Sequence, residues 1–406
     1  MSSRHSSTFQ LPRFNIACYL LLTCTAVNAS STNFEASISA QYFPQDSALA
    51  TSNYHTNSNL LLGVEHQNTL FDDAVILDID GHATYSLEDD NQTLIDFNDF
   101  SLSYYDDFYS VSVGIRTEFW GVTESWHLVD VLNQTNVAAN IDEENKLGQP
   151  MAKLAIYQEW GNLQFYWLPM FRERIYPSEN ARLRSQLFID DNYTQYESSD
   201  KKHHQDFAFR YSHTLDRVDF GIGYFKGTAR TPLLQAQLND SGDYILAPYY
   251  WQNEQISLDL QITLEALLLK LEVINSQSNA QNTYQAAVSG FEYTQVGLFS
   301  SAMDLGYIAE YLYDERGDLA TTPFADDLFL GLRLVANNIS QSTYLLGTYI
   351  DRETKHSAWR FEMETRIKDG LTFTIEGQYF SKQNTDELLY NFQDDSYLTI
   401  SLQQYF

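Results

Sequence analysis

Apolar and polar residues alternate with a period of two through much of the chain, most clearly in its second half. Ile256, Leu258, Leu260, Ile262 and Leu264 alternate with Ser257, Asp259, Gln261 and Thr263. Leu371, Phe373, Ile375 and Tyr379 alternate with Thr372, Thr374, Glu376 and Gln378, and Leu328, Leu330, Leu332 and Leu334 with positions that include Gly331 and Arg333. Each segment has one apolar and one mixed face and is about ten residues long, enough to cross a bilayer as a tilted strand. The pattern runs to the end of the sequence, with Leu398, Ile400, Leu402 and Phe406 on one face and Tyr397, Thr399, Ser401, Gln403 and Tyr405 on the other. In outer-membrane barrels a final strand completes the ring, and a closed ring leaves no unpaired edge. Phe406 is therefore expected to serve as the assembly signal, although Gln404 stands where that signal commonly has an aromatic.

Connection lengths sort by parity. Counted back from Phe406, the long polar stretch 382–393 precedes the tight Lys368-Asp369-Gly370, the modest 352–355 precedes Asn337-Asn338, and 314–324 precedes 297–299. The same order continues through 277–281 and 264–265, 228–250 and 215–216, 171–203 and Gly161-Asn162, and 119–150 and Asp106-Asp107. Outer-membrane barrels have short periplasmic turns and longer outer loops. The sequence thus predicts an all-β, closed antiparallel transmembrane β-barrel of about 18 strands, or about 16 if the first two hairpins are read differently. A propeller or sandwich has no reason to sort its loops this way, and no tandem repeat is present to suggest one. Aromatic pairs near strand ends (Tyr42 and Phe43, Phe119 and Trp120, Tyr166 and Trp167, Tyr379 and Phe380) read as interfacial girdles. A plugged iron transporter needs a globular domain and about 22 strands, more than this chain can hold.

The N-terminal segment fits that compartment. Residues 1–15 carry Arg4 and Arg13 and no acid, Ile16 to Val27 are apolar, and Val27-Asn28-Ala29 supplies small residues for cleavage. This reads as a secretory signal over 1–29, leaving 30–406 as a single barrel domain in the bacterial outer membrane. The apolar run is shorter than the roughly 20 residues of a spanning helix, and Thr23 before Cys24 fits a lipoprotein site poorly. Cys18 and Cys24 both fall in the leader, so the mature chain excludes a disulfide framework and a cysteine-ligated metal. Mean hydropathy is −0.35, a soluble-looking value that a barrel also gives, because its lumen-facing and lipid-facing residues alternate. Acidic residues outnumber basic ones by 54 to 24, for a formal net charge of −30. Such a surface repels nucleic acid and suits a lumen that faces water and cations.

The connection 119–150 differs from the others. Trp126, Leu128, Val129, Val131, Leu132, Val137 and Ile141 make it too apolar for a solvated loop, so it must bury itself. Folding inward to narrow the lumen is the first reading, and capping the mouth is the second. In it and just before it, Arg116, Glu118, Trp120, Gly121, Glu124, Trp126, Asp130 and Asn133 are the candidate constriction and lumen residues, since charge rings line selective pores. Trp120-Gly121, Glu124, Asp130-Val131 and Asn133 resemble the Trp-Gly-x-x-acid … Asp-Val-x-Asn signature of a proteobacterial outer-membrane barrel family of unknown function. The resemblance extends through Gln149-Pro150-Met151 and Trp167-Leu168-Pro169, and covers roughly 110–175 by motif. Gln134 and Val122 depart from it, standing where that family has proline and an acid. It implies an outer-membrane barrel that works beside an export permease or a periplasmic lipid-carrier-like partner, moving a hydrophobic or amphipathic molecule.

Arg172, Arg174, Arg182 and Arg184 concentrate in 171–203. They form a candidate anion or lipopolysaccharide contact, unless they pair with Glu173, Glu179, Asp190 and Asp191. His203 and His204 are adjacent and would point to opposite faces of a strand, a poor start for a metal site. Ser125, His127 and Asp130 suggest a hydrolytic arrangement only on paper, with no nucleophile elbow. The sequence therefore predicts a porin-like passage for a small solute, not an enzyme, without cofactor or catalytic residues. Alternatives are a conduit for lipid-like molecules and a structural or adhesion barrel. Outer-membrane lipid and the barrel-assembly machinery are the expected partners.

Overall fold

The computed structural model describes residues 30–71, 74–382 and 388–406; the expected secretory signal lies outside them. Eighteen antiparallel strands form one closed sheet. In chain order the barrel strands are β1 Ser30–Tyr42, β2 Thr56–Leu70, β3 Val75–Ser86, β4 Leu94–Tyr105, β5 Tyr109–Arg116 and β6 Gln149–Gln158. They continue as β7 Gly161–Leu168, β8 Asp206–Leu215, β9 Val218–Thr228, β10 Gln252–Leu264, β11 Leu267–Ser278 and β12 Tyr284–Gln295. The last six are β13 Asp304–Asp314, β14 Asp326–Val335, β15 Thr343–Asp351, β16 Ser357–Lys368, β17 Leu371–Phe380 and β18 Tyr397–Tyr405. Each strand pairs with its sequence neighbour, and the ring closes where β1 meets β18, with Ile38 opposite Leu402 and Tyr42 opposite Leu398. Phe406 exchanges backbone hydrogen bonds with Phe34 at the end of this seam.

The strand count follows the sequence reading, and so does the parity of most connections. On the side that holds Ser30 and Phe406 most connections are short (106–108, 159–160, 216–217, 265–266 and 369–370), but 296–303 and 336–342, read from the sequence as tight turns, span eight and seven residues and are longer than 279–283 and 352–356 on the opposite side. At 369–370 the chain reverses through Gly370 at φ +73°, a left-handed conformation that costs glycine nothing. The opposite side carries 43–55, 117–148, 169–205, 229–251, 315–325 and 381–396.

Period-two alternation puts apolar side chains on the outer face of the ring and polar ones inside. On β10, Ile256 is exposed while Ser257 and Asp259 are buried; on β11, Leu269 is exposed while Glu272, Ile274 and Ser276 are buried. The girdle expectation needs correction. Tyr42, Trp167 and Tyr379 do face outward, but their neighbours Phe43, Tyr166 and Phe380 are buried. Adjacent residues in a strand occupy opposite faces, so each of these pairs turns only one ring outward, and the pair Phe119 and Trp120 lies in the inward segment after β5 and turns none.

Outside the ring, 233–238 and 244–250 form a hairpin in the loop between β9 and β10, joined by the parallel pair Gln195–Tyr196 from the preceding long loop.

Candidate functional site

Segment 117–148 leaves β5, turns into the barrel and returns as β6. A two-residue ladder, Gln134–Thr135 against Lys146–Leu147, stiffens it. Trp120, Val129 and Leu132 are buried against Met151, Tyr166, Ala208, Phe225 and Ile274, which come from the inner faces of β6 to β9 and β11. Leu128 and Trp126 reach across to Val288, Ile308, Leu312, Phe329 and Leu345. The apolar side chains that mark this connection in the sequence are thus the side chains that pack it against the wall, and the segment forms a plug.

Polar anchors set its height. Glu272, fully buried on β11, accepts hydrogen bonds through Oε1 from Val122 N–H (2.7 Å), Thr123 N–H (3.1 Å) and Thr123 Oγ1 (2.7 Å), and through Oε2 from Val129 N–H (3.2 Å). Glu310 on β13 accepts from Glu124 N–H and Ser125 N–H, both at 2.8 Å, and from Ser125 Oγ at 2.5 Å. Gly121 sits at φ +145°, and a Cβ there would lie 2.9 Å from Glu272 Oε1. The glycine of the Trp-Gly pair therefore lets the turn close onto this carboxylate. Gly223 on β9 leaves room in the same way, since a Cβ would come within 3.0 Å of the Trp120 ring.

The remaining candidate lumen residues assemble around these two anchors. Asn133 accepts from Glu118 N–H and donates to the Arg116 and Leu147 carbonyls. Glu118 pairs with Lys153 (2.8 Å) and Arg116 (3.4 Å). Glu124 pairs with Arg333 at 2.6 Å, and Arg333 also holds Glu292. Asp130 accepts from Trp120 N–H and pairs with Lys146 at 3.2 Å. At the far wall Arg360 on β16 donates to Glu144 (3.0 Å), Tyr397 on β18 donates to Asn140 (3.1 Å), and Tyr349 on β15 donates to the Ser125 carbonyl (2.9 Å). The plug is held from both sides of the lumen.

Sequence reasoning missed the wall partners Glu272, Glu310, Glu292 and Arg333. A signal was present at Glu272, a lone acid between Leu271 and Val273 on a strand whose next inward residue is Ile274. Ser125, His127 and Asp130 do not come together as a hydrolytic set: Ser125 Oγ donates to Glu310, while the His127 ring packs edge-on to Phe119 and faces Glu272 at 3.9 Å. His204 bonds Asp206 (2.8 Å), whose other oxygen takes Arg230 (2.9 Å).

The four arginines expected to contact anions or lipopolysaccharide are turned inward and occupied. Arg172 makes a two-pronged pair with Asp96 at 3.0 Å, Arg174 pairs with Glu143 (2.8 Å), and Arg182 with Asp395 (2.7 Å). Arg184 donates to the Glu179, Ser185 and Gln186 carbonyls. None of them pairs with a neighbouring carboxylate, because the loop folds back and meets Asp96 on β4, Glu143 of 117–148 and Asp395 of the β17–β18 connection, while Arg184 is held by carbonyls. Arg182 is the most buried, inserted between the β1–β2 and β17–β18 connections, where it also donates to the Gln45, Tyr54 and Asp394 carbonyls and lies 4.5 Å from the Phe43 ring.

The plug leaves a cavity of about 810 Å³ against β1 to β4, lined by Glu35, Glu65, Asp80, His82, Asp99 and the exposed plug residue Phe119. On the loop side lies a chamber of about 150 Å³ lined by Trp126, His127, Asp130, Asp142, Arg230 and Arg316. Glu144 and Lys146 border both.

No protein-family model and no curated protein matches the chain. Among solved structures it is similar to Escherichia coli Wzi, described as an outer-membrane protein involved in group 1 capsule assembly and a carbohydrate-binding β-barrel. The TM-score is 0.54 at 9% identity, over 92% of this chain and 83% of that one. Looser overlaps, which carry no weight, include a mutant of Rh. blastica porin (TM-score 0.43, 12% identity, 93% and 100% covered) and the outer-membrane protein OmpT of Vibrio cholerae (0.46, 10%, 93% and 99%). The fold defines the class: this is a closed, 18-stranded β-barrel of the outer-membrane type.

Proposed function

We propose that the protein is a channel of the bacterial outer membrane that passes small hydrophilic or amphipathic solutes, with segment 117–148 as its constriction. The observation that carries this reading is the acidic cavity beside the plug, bordered by Glu144 and Lys146, which also border the chamber on the loop side. Charge rings in a narrow passage select by sign, and Glu35, Glu65, Asp80 and Asp99 favour cations. A conduit for lipid needs a lateral opening or an apolar lumen track. Continuous pairing around the described ring, seam included, and the polar inner face of β1 to β4 support an aqueous route instead.

Deleting 123–145 is expected to raise single-channel conductance in planar bilayers severalfold, because the plug no longer fills the section of the lumen. Unchanged conductance in a folded deletion variant overturns the constriction.

Asp142 makes the passage pH-sensitive. Burial, and then repulsion from Glu144, push its carboxyl up to about 6. It is charged above that pH and neutral below, so the passage loses a negative charge as pH falls from about 7 to about 5. Cation preference, read from the zero-current potential, is expected to drop across that interval, and Asp142→Asn to hold the low-pH value throughout. The stability contribution has the opposite sense: the folded chain binds this proton more tightly than the unfolded chain does. The benefit is therefore full below the ordinary carboxylate range and is lost as pH rises through about 6.

A further inference from the structure

Three cavities lie in series from the mouth inward. The outermost, of about 380 Å³, is walled by Tyr176, Leu183, Ile189, Pro232, Leu233 and Leu234 from separate outer loops. Trp126, Glu143, Arg174, Thr231 and Thr321 line both this vestibule and the charged chamber beneath it. Glu144 and Lys146 then link the chamber to the acidic lumen cavity. The vestibule has the size of a small-molecule site, within the range of about 300–1,000 Å³. Inorganic ions gain nothing from this apolar wall, whereas an apolar group gains the free energy of leaving water.

In the vestibule itself Glu143 is paired with Arg174, and Arg184 is held by the Glu179, Ser185 and Gln186 carbonyls, so the preference for one sign of charge comes from the compartments below. In the chamber each lysine and arginine already has a carboxylate, Lys146 with Asp130 (3.2 Å), Arg174 with Glu143 (2.8 Å), Arg316 with Asp314 (2.7 Å) and Arg230 with Asp206 (2.9 Å), and His127 faces Glu272 at 3.9 Å. Asp142 accepts from the Asn140 side chain and the Glu144 N–H, both uncharged donors. Glu144 shares Arg360 with Glu362. Further in, Glu35, Glu65, Asp80 and Asp99 line the cavity together with a single lysine, Lys146. The field that a solute meets beyond Trp126 is therefore negative. Indole is also the best aromatic partner for a cation, and this one borders both compartments.

We propose that the vestibule is a capture site for a small organic cation with an apolar body, held by the loop wall and handed past Trp126 toward the acidic lumen. This deepens the channel reading and rests on it for the inward route. Binding is measured by titration calorimetry on the full chain in lipid nanodiscs, with three probes: phenethylammonium, its anionic counterpart phenylacetate, and ethylammonium, which lacks the apolar body. Phenethylammonium is expected to bind about tenfold tighter than either control. The double variant Leu234→Asn/Leu319→Asn, altered at two exposed lining positions, is expected to weaken it about fivefold. Asp142→Asn is expected to narrow the gap between phenethylammonium and phenylacetate. Equal binding of the three probes overturns the capture site, as does undiminished binding by a double variant with normal heat-modifiable mobility. Bilayer recordings separate the two ideas. A protein that binds phenethylammonium selectively but conducts no ions keeps the capture site and loses the channel. One that conducts but does not discriminate among the probes keeps the channel and loses the capture site.

Discussion

Glu272→Leu is expected to release the plug while the barrel stays closed. The substitution is close in volume and leaves the backbone pairing of β11 with β10 and β12 untouched. It removes the acceptor for three plug N–H groups and one hydroxyl. A buried donor left without a partner costs about 1–3 kcal/mol, so the turn at 121–129 loses more than its remaining contacts on β11 return. Conductance should rise toward that of the 123–145 deletion, and protease cleavage within the plug should appear, with heat-modifiable mobility unchanged. Glu272→Gln, which keeps an acceptor oxygen, should fall between the two. If Glu272→Leu keeps native conductance and protease resistance, Glu310 and the apolar cluster hold the plug without it.

The second large effect is expected at Arg182. Substitution by methionine leaves Asp395 buried without its cation, and breaking a buried pair from one side costs about 3–5 kcal/mol. It also frees the Gln45, Tyr54 and Asp394 carbonyls that the guanidinium bridges. Since Gln45 and Tyr54 belong to the β1–β2 connection and Asp394 to the β17–β18 connection, the loss should detach 169–205 from the mouth instead of unfolding the strands. The readout is limited proteolysis of intact cells, with cleavage near 181–187 expected in the variant alone. The double variant Arg182→Met/Asp395→Leu should recover much of the resistance, because no unpaired charge then remains. A single variant as resistant as the parent would mean that Ser52, Asp89 and Asn91, which also bond this loop, suffice to hold it.

The strands were legible because their information is local. A period of two fixes which face meets lipid, and Ile256 to Leu264 could be assigned without knowing what lay beside them. Loop parity was legible for a similar reason, since connection length is read directly along the chain. The plug announced itself through apolar residues that no solvated loop retains, Trp126 and Val129 among them. Its attachments were not legible. Glu272 and Glu310 lie more than a hundred residues away from the N–H groups they accept, and nothing near Val122 or Glu124 in the sequence indicates which acid they will meet. The arginines of 171–203 show the same limit. Four cations on one acidic chain suggest an external anion, but the loop folds back and each guanidinium is taken by carboxylates or carbonyls of this chain.

The distance along the chain between the plug and its anchors also orders events in time. Asn140 is made long before Tyr397, the tyrosine of the last strand to which it is hydrogen-bonded, and Glu144 long before Arg360. The plug's contacts with Arg360 and Tyr397 therefore cannot form until β16 and β18 stand beside the rest of the wall. The same strand that gives Tyr397 to the plug pairs with β1 to finish the ring. Closing the ring and completing the plug's contact with the far wall thus depend on one and the same strand.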